Sequence, residues 1–314
     1  MKQIKVSIES AGLRLAGMLR VPEGPQGKPL PAIVVGHPAA GVKEQTAALY
    51  ASRLTEAGFV TLTFDTATQG ESEGQPRGVE DPARRVREFK DAVSFLLTQS
   101  IASVASVGVL GICASGGYCM PAAATDPRIR AVAAVSPVDI GTQFRVGADG
   151  QQDPAILQAL LSQAAVARTA AAFGLAQGTL PLFPPDEETA LQGGAHLHEG
   201  WAYYSTTRGQ HPNAARAFAW QSVDAIAWFD AFRFVDLIAP RPLLMIVGDK
   251  AVTRWMAEEA IARALPPKEL FVIDGASHVA LYDEPAALAP AAARLIDFFR
   301  LALGTDQGDA HAQH

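Results

Sequence analysis

Residues 106–117, SVGVLGICASGG, join a hydrophobic strand to a helix through a turn of small residues. A nucleophile presented on such a tight turn needs small residues two positions to either side of it. The turn contains two candidates, the sulfur of Cys113 and the hydroxyl of Ser115. Centring the turn on Cys113 ends the strand at Leu110–Gly111, whereas centring it on Ser115 leaves Gly111 unexplained. The sequence therefore favours Cys113, with Ser115 as the alternative.

The segments around this turn alternate between hydrophobic strands and amphipathic helices. Two further strands, at 4–10 and 13–22, flank Ala11–Gly12 and are typical of a hairpin. Apolar strands that alternate with helices form parallel sheets covered on both faces. The sequence thus predicts an α/β fold with a mostly parallel central sheet flanked by helices. We expect strands at 32–38, 59–65, 106–112, 129–138, 241–249 and 268–275, and helices at 43–58, 81–99, 115–126, 254–265 and 286–303.

The alternation is interrupted at 140–238, a stretch too long for a loop in a compact domain. Because it contains helical patterns, we interpret it as a helical cap inserted above the sheet. The core is then formed by residues 1–139 and 239–304. The polar tail at 305–314 is expected to be flexible.

Composition excludes several classes of protein. The 314 residues are 49% hydrophobic and 18% charged, with a net charge of −6, which argues against a nucleic-acid or anionic-membrane partner. The apolar stretch at 155–174 is too polar to span a bilayer, and no signal peptide is evident. Two cysteines, six residues apart, form neither a disulfide framework nor a zinc site. We expect a cytoplasmic protein without metal or cofactor.

A histidine and an acid follow the last two predicted strands. His278 comes directly after the strand at 268–275, which places it at the sheet edge where the nucleophile turn lies. Asp249 is the only carboxylate at the end of the preceding strand, so it is the predicted partner of His278. Asp274 and Asp283 remain alternatives, although both fit turn-forming roles.

Acyl-transfer chemistry also needs an activated nucleophile and an oxyanion hole. A helix that starts after Cys113 points its N–H groups at the sulfur, which predicts a lowered thiol pKa. The N–H of Ala114 is one predicted oxyanion donor. The loop after the first parallel strand supplies the second, for which Ala39 is the candidate because Pro38 has no N–H. His37 is expected to orient this loop and to contact the substrate, and a role as catalytic base stays open.

Two polar stretches outside the turn are further candidates for ligand contacts. Tyr203 and Tyr204, in an aromatic-rich part of the insertion, are predicted to line the substrate pocket, although packing within the cap explains them equally well. Asp65, Glu71 and Glu73 have the spacing of a carboxylate cluster. With no histidine or cysteine nearby, we interpret them as turn-capping residues rather than metal ligands.

Together these motifs resemble the dienelactone-hydrolase-like branch of the α/β-hydrolase superfamily, and most of all its bacterial members with a helical cap. The likeness rests on GHPAAGVKEQTA, FDTATQGESEG, LGICASGGY, VGDKA and GASHVALYD and covers nearly the whole chain. The resemblance implies an α/β-hydrolase fold and a Cys–His–Asp triad, carried onto Cys113, His278 and Asp249. Ser115 departs from the pattern, since the elbow usually has glycine there. The large insertion also departs from the minimal dienelactone hydrolase and puts dienelactone in doubt as substrate.

The sequence therefore predicts a hydrolase that acts on a small-molecule ester, lactone or thioester through a Cys113 acyl-enzyme. Two alternatives remain open. One is an enzyme that cleaves C–C bonds or closes rings on β-keto substrates, and the other is a non-catalytic protein that binds a small molecule. The oligomeric state is also open, with an apolar helix of the insertion as a candidate homodimer surface.

Overall fold

A computed structural model of the chain describes residues 1–23, 29–99 and 102–304, and the predicted tail at 305–314 lies outside these described residues. The strands are β1 (Lys2–Ser10), β2 (Leu13–Val21), β3 (Leu30–Gly36), β4 (Val60–Phe64), β5 (Val104–Ile112), β6 (Ile129–Val135), β7 (Thr179–Pro181), β8 (Ala217–Ala219), β9 (Leu243–Gly248) and β10 (Lys268–Ile273). The helices are α1 (Thr46–Glu56), α2 (Pro82–Thr98), α3 (Ala114–Ala124), α4 (Ile140–Val146), α5 (Pro154–Ala172), α6 (Glu187–Gln192), α7 (Ala195–Ser205), α8 (Ser222–Ala227), α9 (Arg254–Arg263), α10 (Ala280–Asp283) and α11 (Pro285–Leu303), with a 3₁₀ helix at Val235–Ile238.

Eight of these strands form one sheet in the order β1-β2-β4-β3-β5-β6-β9-β10. The strands from β4 to β10 in this order pair in parallel, while β2 pairs antiparallel with both β1 and β4. The predicted mostly parallel sheet is confirmed. Its central strand, β5, leads directly into the turn at Cys113, so the turn lies at the carboxyl edge where open α/β sheets bind ligands.

The two antiparallel strands at the edge form the predicted hairpin. Ser10 pairs with Leu13, and the two residues between them, Ala11 and Gly12, have φ values of 48° and 80°. Positive φ at both turn positions matches the twist of a two-residue hairpin.

Each face of the sheet has its own hydrophobic layer because side chains alternate along β5. Val107 and Val109 pack in one layer, which includes residues of α2, α3 and α9. Leu110 and Ile112 pack in the other layer, with residues of α1 and α11. Burial on both faces explains why the strand is apolar along its inner length.

Helix α2 begins at the residues predicted from the sequence. The Asp81 side chain accepts hydrogen bonds from the N–H groups of Ala83 and Arg84, and Pro82 occupies the first turn. The helix then buries Arg85 and Glu88 beneath the loops at the carboxyl edge of the sheet.

Residues 140–238 follow β6 and lead back into β9, and they contain α4 to α8 together with the 3₁₀ helix. The segment also contains a two-stranded antiparallel sheet of β7 and β8, which the sequence patterns do not indicate. Strands of three residues are too short for a recognisable alternation. Among the helices of the described residues, none combines the length and apolar character needed to cross a bilayer.

Candidate active site

Cys113 occupies the turn between β5 and α3 in a left-handed backbone conformation. Its φ of 55° and ψ of −121° are uncommon for a residue with a side chain. The Cys113 N–H donates to the Val135 carbonyl at 3.0 Å. The Cys113 carbonyl accepts from the N–H groups of Gly116 and Val138 at 2.8 and 3.0 Å. A strained residue fixed by neighbouring hydrogen bonds is typical of functional sites.

Ser115 lies within the first turn of α3, and its hydroxyl is committed to the loop after β3. It donates to the His37 carbonyl at 2.5 Å and accepts from the Arg85 guanidinium at 3.2 Å. The residue is only 1% exposed. The structure therefore places Cys113, and not Ser115, at the sharp turn.

A partly open cavity of about 170 Å³ lies beside Cys113, which keeps part of its surface exposed. Most of the cavity wall is apolar, and its polar side chains are Gln143, His196, Tyr204, His278 and Tyr282. The described residues that line it are Ala39, Cys113, Ala114, Ile140, Gln143, Phe144, Leu182, Phe183, His196, Leu197, Gly200, Tyr204, Phe218, His278, Val279 and Tyr282.

The two predicted oxyanion donors lie together at the sulfur. Ala39 and Ala114 both line the cavity beside Cys113, and their backbone N–H groups act to lower the pKa of its thiol. Ala39 comes from the loop after β3, and Ala114 is the first residue of α3. Two converging N–H groups provide the donors that a developing oxyanion requires.

The thiol pKa differs from the sequence-based prediction. Burial raises the pKa of Cys113 above its ordinary value, and it outweighs the hydroxyl of Tyr282 and the two N–H groups, which act in the opposite direction. The prediction of a lowered pKa considered the helix N-terminus but not the desolvation of the sulfur. The resting group is therefore a thiol, and its reaction requires a base.

His278 lies in the loop after β10 and is buried at the cavity wall. Its Nδ1 atom is 2.7 Å from the Thr253 hydroxyl, and its Nε2 atom is 3.1 Å from the Tyr282 hydroxyl. Burial lowers the pKa of His278 well below its ordinary value, and the neighbouring His196 lowers it further. The imidazole is therefore neutral at pH 7 and available as a proton acceptor.

Asp249 does not occupy the predicted place beside His278. The Nδ1 position that a triad acid would fill is taken by Thr253, in the loop between β9 and α9. The Asp249 N–H donates to the Ile273 carbonyl, and its Oδ1 atom is buried without a hydrogen-bond partner. The prediction relied on chain position alone, and the loop after β9 brings Thr253 to the ring instead.

The two alternative acids also lie away from the ring nitrogens. Asp274 is exposed on the turn after β10. Asp283 forms an ion pair with Arg208 at 2.6 Å. The hydrogen bonds at both ring nitrogens of His278 come from neutral hydroxyls, not from a carboxylate.

His37 supports the oxyanion loop from below and does not line the cavity. Its Nδ1 donates to the Pro38 carbonyl at 2.7 Å, and its Nε2 accepts from Arg85 at 3.1 Å. Burial, followed by the charge of Arg85, lowers the pKa of His37 well below its ordinary value. The role in orienting the loop agrees with this position, whereas the predicted substrate contact does not.

The two predicted pocket tyrosines have different surroundings. Tyr204 lines the cavity. Tyr203 packs behind it, with ring centroids 4.9 Å apart, and its hydroxyl accepts from the Thr46 N–H at 3.0 Å. Tyr203 therefore supports the wall rather than facing a substrate.

A lysine ammonium occupies the centre of the carboxylate cluster considered as a metal site. Lys43 Nζ lies 2.8 Å from Asp65 and 2.6 Å from both Glu44 and Glu71. Glu73 is paired instead with Arg14. One lysine ammonium is thus ion-paired with three carboxyl groups, those of Glu44, Asp65 and Glu71.

Sequence reasoning missed three polar residues of the site. Tyr282 follows His278 by four residues in the quoted motif GASHVALYD, a helix-like spacing that could have identified it. Thr253 and His196 lie in stretches without a recognisable motif. His196 belongs to α7, and its ring meets that of His278 edge-on, with 5.2 Å between centroids.

The arrangement of a cysteine turn, two N–H donors and a histidine can be compared with known proteins. A sequence model of the dienelactone hydrolase family matches residues 15–164. The uncharacterised Escherichia coli K12 protein YcjY is 36% identical over 269 residues, covering 85% of this chain and 87% of YcjY. This chain belongs to the dienelactone hydrolase family.

Two further relatives extend this comparison. The crystal structure of the hypothetical protein PA2218 from Pseudomonas aeruginosa has a TM-score of 0.87 at 33% identity, covering 96% of this chain and 94% of that one. The thiohydrolase aneE of Aspergillus aculeatus is 35% identical over 134 residues, 43% of this chain and 41% of that protein. The predicted α/β-hydrolase fold of this dienelactone hydrolase family member is confirmed.

Alkylation of Cys113 by iodoacetamide should increase with pH and reach half of its limiting rate above pH 9. The reason is that alkylation requires thiolate, and burial raises the thiol pKa above its ordinary 9.0. The rate is measured by mass spectrometry across a pH series. Cys113→Ala is the control, in which the buried Cys119 should remain unlabelled. A midpoint below pH 7 would contradict the resting thiol.

Proposed function

We propose that this chain is a cysteine-dependent hydrolase of neutral esters, lactones or thioesters, with Cys113 as nucleophile. The observation that carries the proposal is the position of Cys113, at a strained turn with two backbone N–H groups directed at its sulfur. Membership in a hydrolase family supports the reaction class. A buried structural cysteine would need neither the strain nor the convergent donors.

The proposed reaction begins when the Cys113 sulfur attacks the substrate carbonyl. The carbonyl oxygen takes negative charge and accepts hydrogen bonds from Ala39 and Ala114. His278 receives the thiol proton and returns it to the leaving group, which gives a thioester on Cys113. His278 then removes a proton from water, and the resulting hydroxide releases the acid and restores the thiol.

The cavity wall favours an uncharged acyl group. Its described lining includes no lysine or arginine. Two guanidinium groups of the surrounding structure have other partners, since Arg85 is paired with Glu80 and Arg208 with Asp283. A substrate carboxylate would therefore be desolvated without a cation, which costs several kcal/mol.

The size of the cavity limits the acyl group further. A cavity of about 150 Å³ holds a benzene molecule, and the cavity here is about 170 Å³. We infer an acyl group of roughly six to eight carbons, on the basis of that comparison. A thioester leaving group fits the likeness to thiohydrolase aneE, and esters and lactones share the same carbonyl chemistry.

Residues 140–238 are proposed to act as the cap that sets this specificity. They supply most of the described lining residues, including Phe144, Phe183, His196 and Phe218. The core supplies the reacting groups on the opposite side. Changes within the segment should therefore alter substrate choice without removing the nucleophile.

Cys113→Ala should lower kcat/KM for p-nitrophenyl butyrate by at least about 1,000-fold, because it removes the nucleophile. Ser115→Ala should retain turnover and lose about 1 kcal/mol of stability, since it removes a buried hydrogen bond. Both variants are assayed by p-nitrophenolate release and urea unfolding. Turnover that survives in Cys113→Ala but not in Ser115→Ala would assign the reaction to the serine. A folded wild type that binds but does not turn over acyl substrates would favour a binding protein.

The neutral-substrate proposal predicts a preference for p-nitrophenyl butyrate over mono-p-nitrophenyl succinate, which adds a carboxylate to a chain of similar length. The ratio of kcat/KM values should be about 100-fold or more, from the cost of burying an unpaired carboxylate. Equal rates, or faster cleavage of the succinate, would contradict the preference for a neutral substrate.

Chromatography of the products distinguishes hydrolysis from ring closure or C–C cleavage.

A further inference from the structure

Arg85 is a buried residue of α2 whose side chain packs against the loop after β3. Its guanidinium group donates to the His37 carbonyl at 3.0 Å, to the His37 ring at 3.1 Å and to the Ser115 hydroxyl at 3.2 Å. Arg85 is not one of the described residues that line the cavity. We propose that Arg85 is a positioning residue, which acts through His37 and Ser115 to fix the two N–H groups of the oxyanion hole. The inference rests on the proposed function, in which a carbonyl oxygen takes negative charge beside Ala39 and Ala114.

The contacts of the His37 ring decide which of its nitrogen atoms carries the proton. A guanidinium group only donates hydrogen bonds, so Nε2 accepts from Arg85. The backbone N–H of Thr66 also points at Nε2, at 3.4 Å. The ring proton is therefore on Nδ1, which donates to the Pro38 carbonyl at 2.7 Å. Arg85 thus selects the tautomer of His37 that binds this carbonyl.

The Pro38 carbonyl belongs to the same planar peptide unit as the Ala39 N–H. It accepts hydrogen bonds from two donors, His37 Nδ1 and the Gly41 N–H, the latter at 3.1 Å. The unit is trans, so its N–H points away from its carbonyl and from the His37 ring. Ala39 itself lines the cavity. A carbonyl held in this way sets the direction of the Ala39 N–H.

The guanidinium group also contacts the helix that supplies the second donor. Ala114 is the first residue of α3, and Ser115 follows it directly. The Ser115 hydroxyl accepts from Arg85 and donates to the His37 carbonyl, so the start of α3 is tied to the loop after β3. The guanidinium carbon lies 5.0 Å from the ring centre of Tyr118, further along α3. One side chain therefore connects the two segments whose N–H groups must converge on one oxygen atom.

Arg85 is itself held in place, and its charge is balanced. Glu80, which is fully buried, lies 3.3 Å from the guanidinium group. The Glu80 carboxylate also accepts from the Tyr118 hydroxyl at 2.7 Å and from the Gln69 amide at 2.5 Å. A buried cation that moved away from this carboxylate would lose its compensating charge, which is strongly unfavourable. Arg85 is therefore a fixed point from which the loop and the helix can be positioned.

Arg85→Met removes the guanidinium group and keeps an unbranched side chain. It should lower the rate of acylation by about 100-fold, because displaced N–H groups no longer stabilise the oxyanion. The apparent dissociation constant of p-nitrophenyl butyrate should change by less than about threefold, since these hydrogen bonds strengthen mainly in the transition state. Both quantities come from the p-nitrophenolate burst, followed by stopped flow at several substrate concentrations.

Arg20→Met is the matched control. Arg20 and Arg85 are 5% and 4% exposed, and Arg20 donates to the Thr63 hydroxyl at 3.0 Å within the sheet, outside the cavity. This control should lose stability in urea unfolding but keep its acylation rate. An unchanged rate in folded Arg85→Met, or equal losses of rate in the two variants, would overturn the positioning role.

Alkylation of Cys113 separates the oxyanion hole from the sulfur. Iodoacetamide reacts with the thiolate without forming an oxyanion, so the limiting alkylation rate in Arg85→Met should stay within about threefold of the wild-type rate. An alkylation rate that falls as far as the acylation rate would show that the substitution displaces Cys113 itself. That result would contradict a specific effect on the two N–H groups.

Two variants of His37 test the same connection without altering Arg85. His37→Leu should lower the acylation rate by about 100-fold, because it removes the donor to the Pro38 carbonyl. His37→Asn keeps an N–H donor near the position of Nδ1 and should recover at least about 10-fold of that loss. Equal rates in these two variants would refute the proposed route from Arg85 through the His37 ring.

Cys113→Ala distinguishes failure of this inference from failure of the proposed function. Loss of the burst in Cys113→Ala shows that the proposed function holds. An undiminished burst in Arg85→Met and His37→Leu then refutes the positioning role alone. A burst that survives in Cys113→Ala refutes the proposed function itself.

Discussion

Helix α3 approaches strand β5 so closely that Gly111 has no room for a side chain. A Cβ atom there would lie 2.1 Å from the Ser115 carbonyl oxygen, and one on Gly117 would lie 2.3 Å from the Val138 carbonyl oxygen. The chain must therefore reverse within a single residue, which forces Cys113 to a φ of 55°. The same reversal directs the Ala114 N–H at the sulfur. The close packing of α3 on β5 thus sets both the position of the nucleophile and the position of one oxyanion donor.

Sequence reasoning succeeded where function follows from backbone topology. Strand–helix alternation specifies the parallel sheet, and the carboxyl ends of its strands bring Cys113, Ala39 and His278 to one edge. It failed where function follows from loop conformation. Asp249 has the right place in the chain, but the path of the loop after β9 gives His278 the hydroxyl of Thr253. Neither hydrophobic periodicity nor residue spacing predicts this contact between a loop hydroxyl and the histidine ring.

The electrostatics of the site could not be derived from motifs either. The helix N-terminus at Cys113 suggests a thiolate, yet enclosure of the sulfur raises the thiol pKa. Enclosure also lowers the pKa of His278, so both groups rest uncharged. Their partners, Thr253 and Tyr282, are uncharged as well. A site built in this way holds no ion pair at rest and creates charge only as the carbonyl is attacked, which suits a neutral substrate in an apolar cavity.

If Cys113 is the nucleophile, it becomes acylated during turnover, and the acyl-enzyme can be trapped. The protein is mixed with p-nitrophenyl butyrate, quenched in acid within the burst, and digested with trypsin. Cleavage after Lys90 and Arg128 keeps Cys113 and Ser115 in one peptide, and its fragmentation spectrum locates the added butyryl mass. We expect the butyryl group on Cys113. A butyryl group on Ser115, or rapid turnover with no acylated peptide, would contradict it.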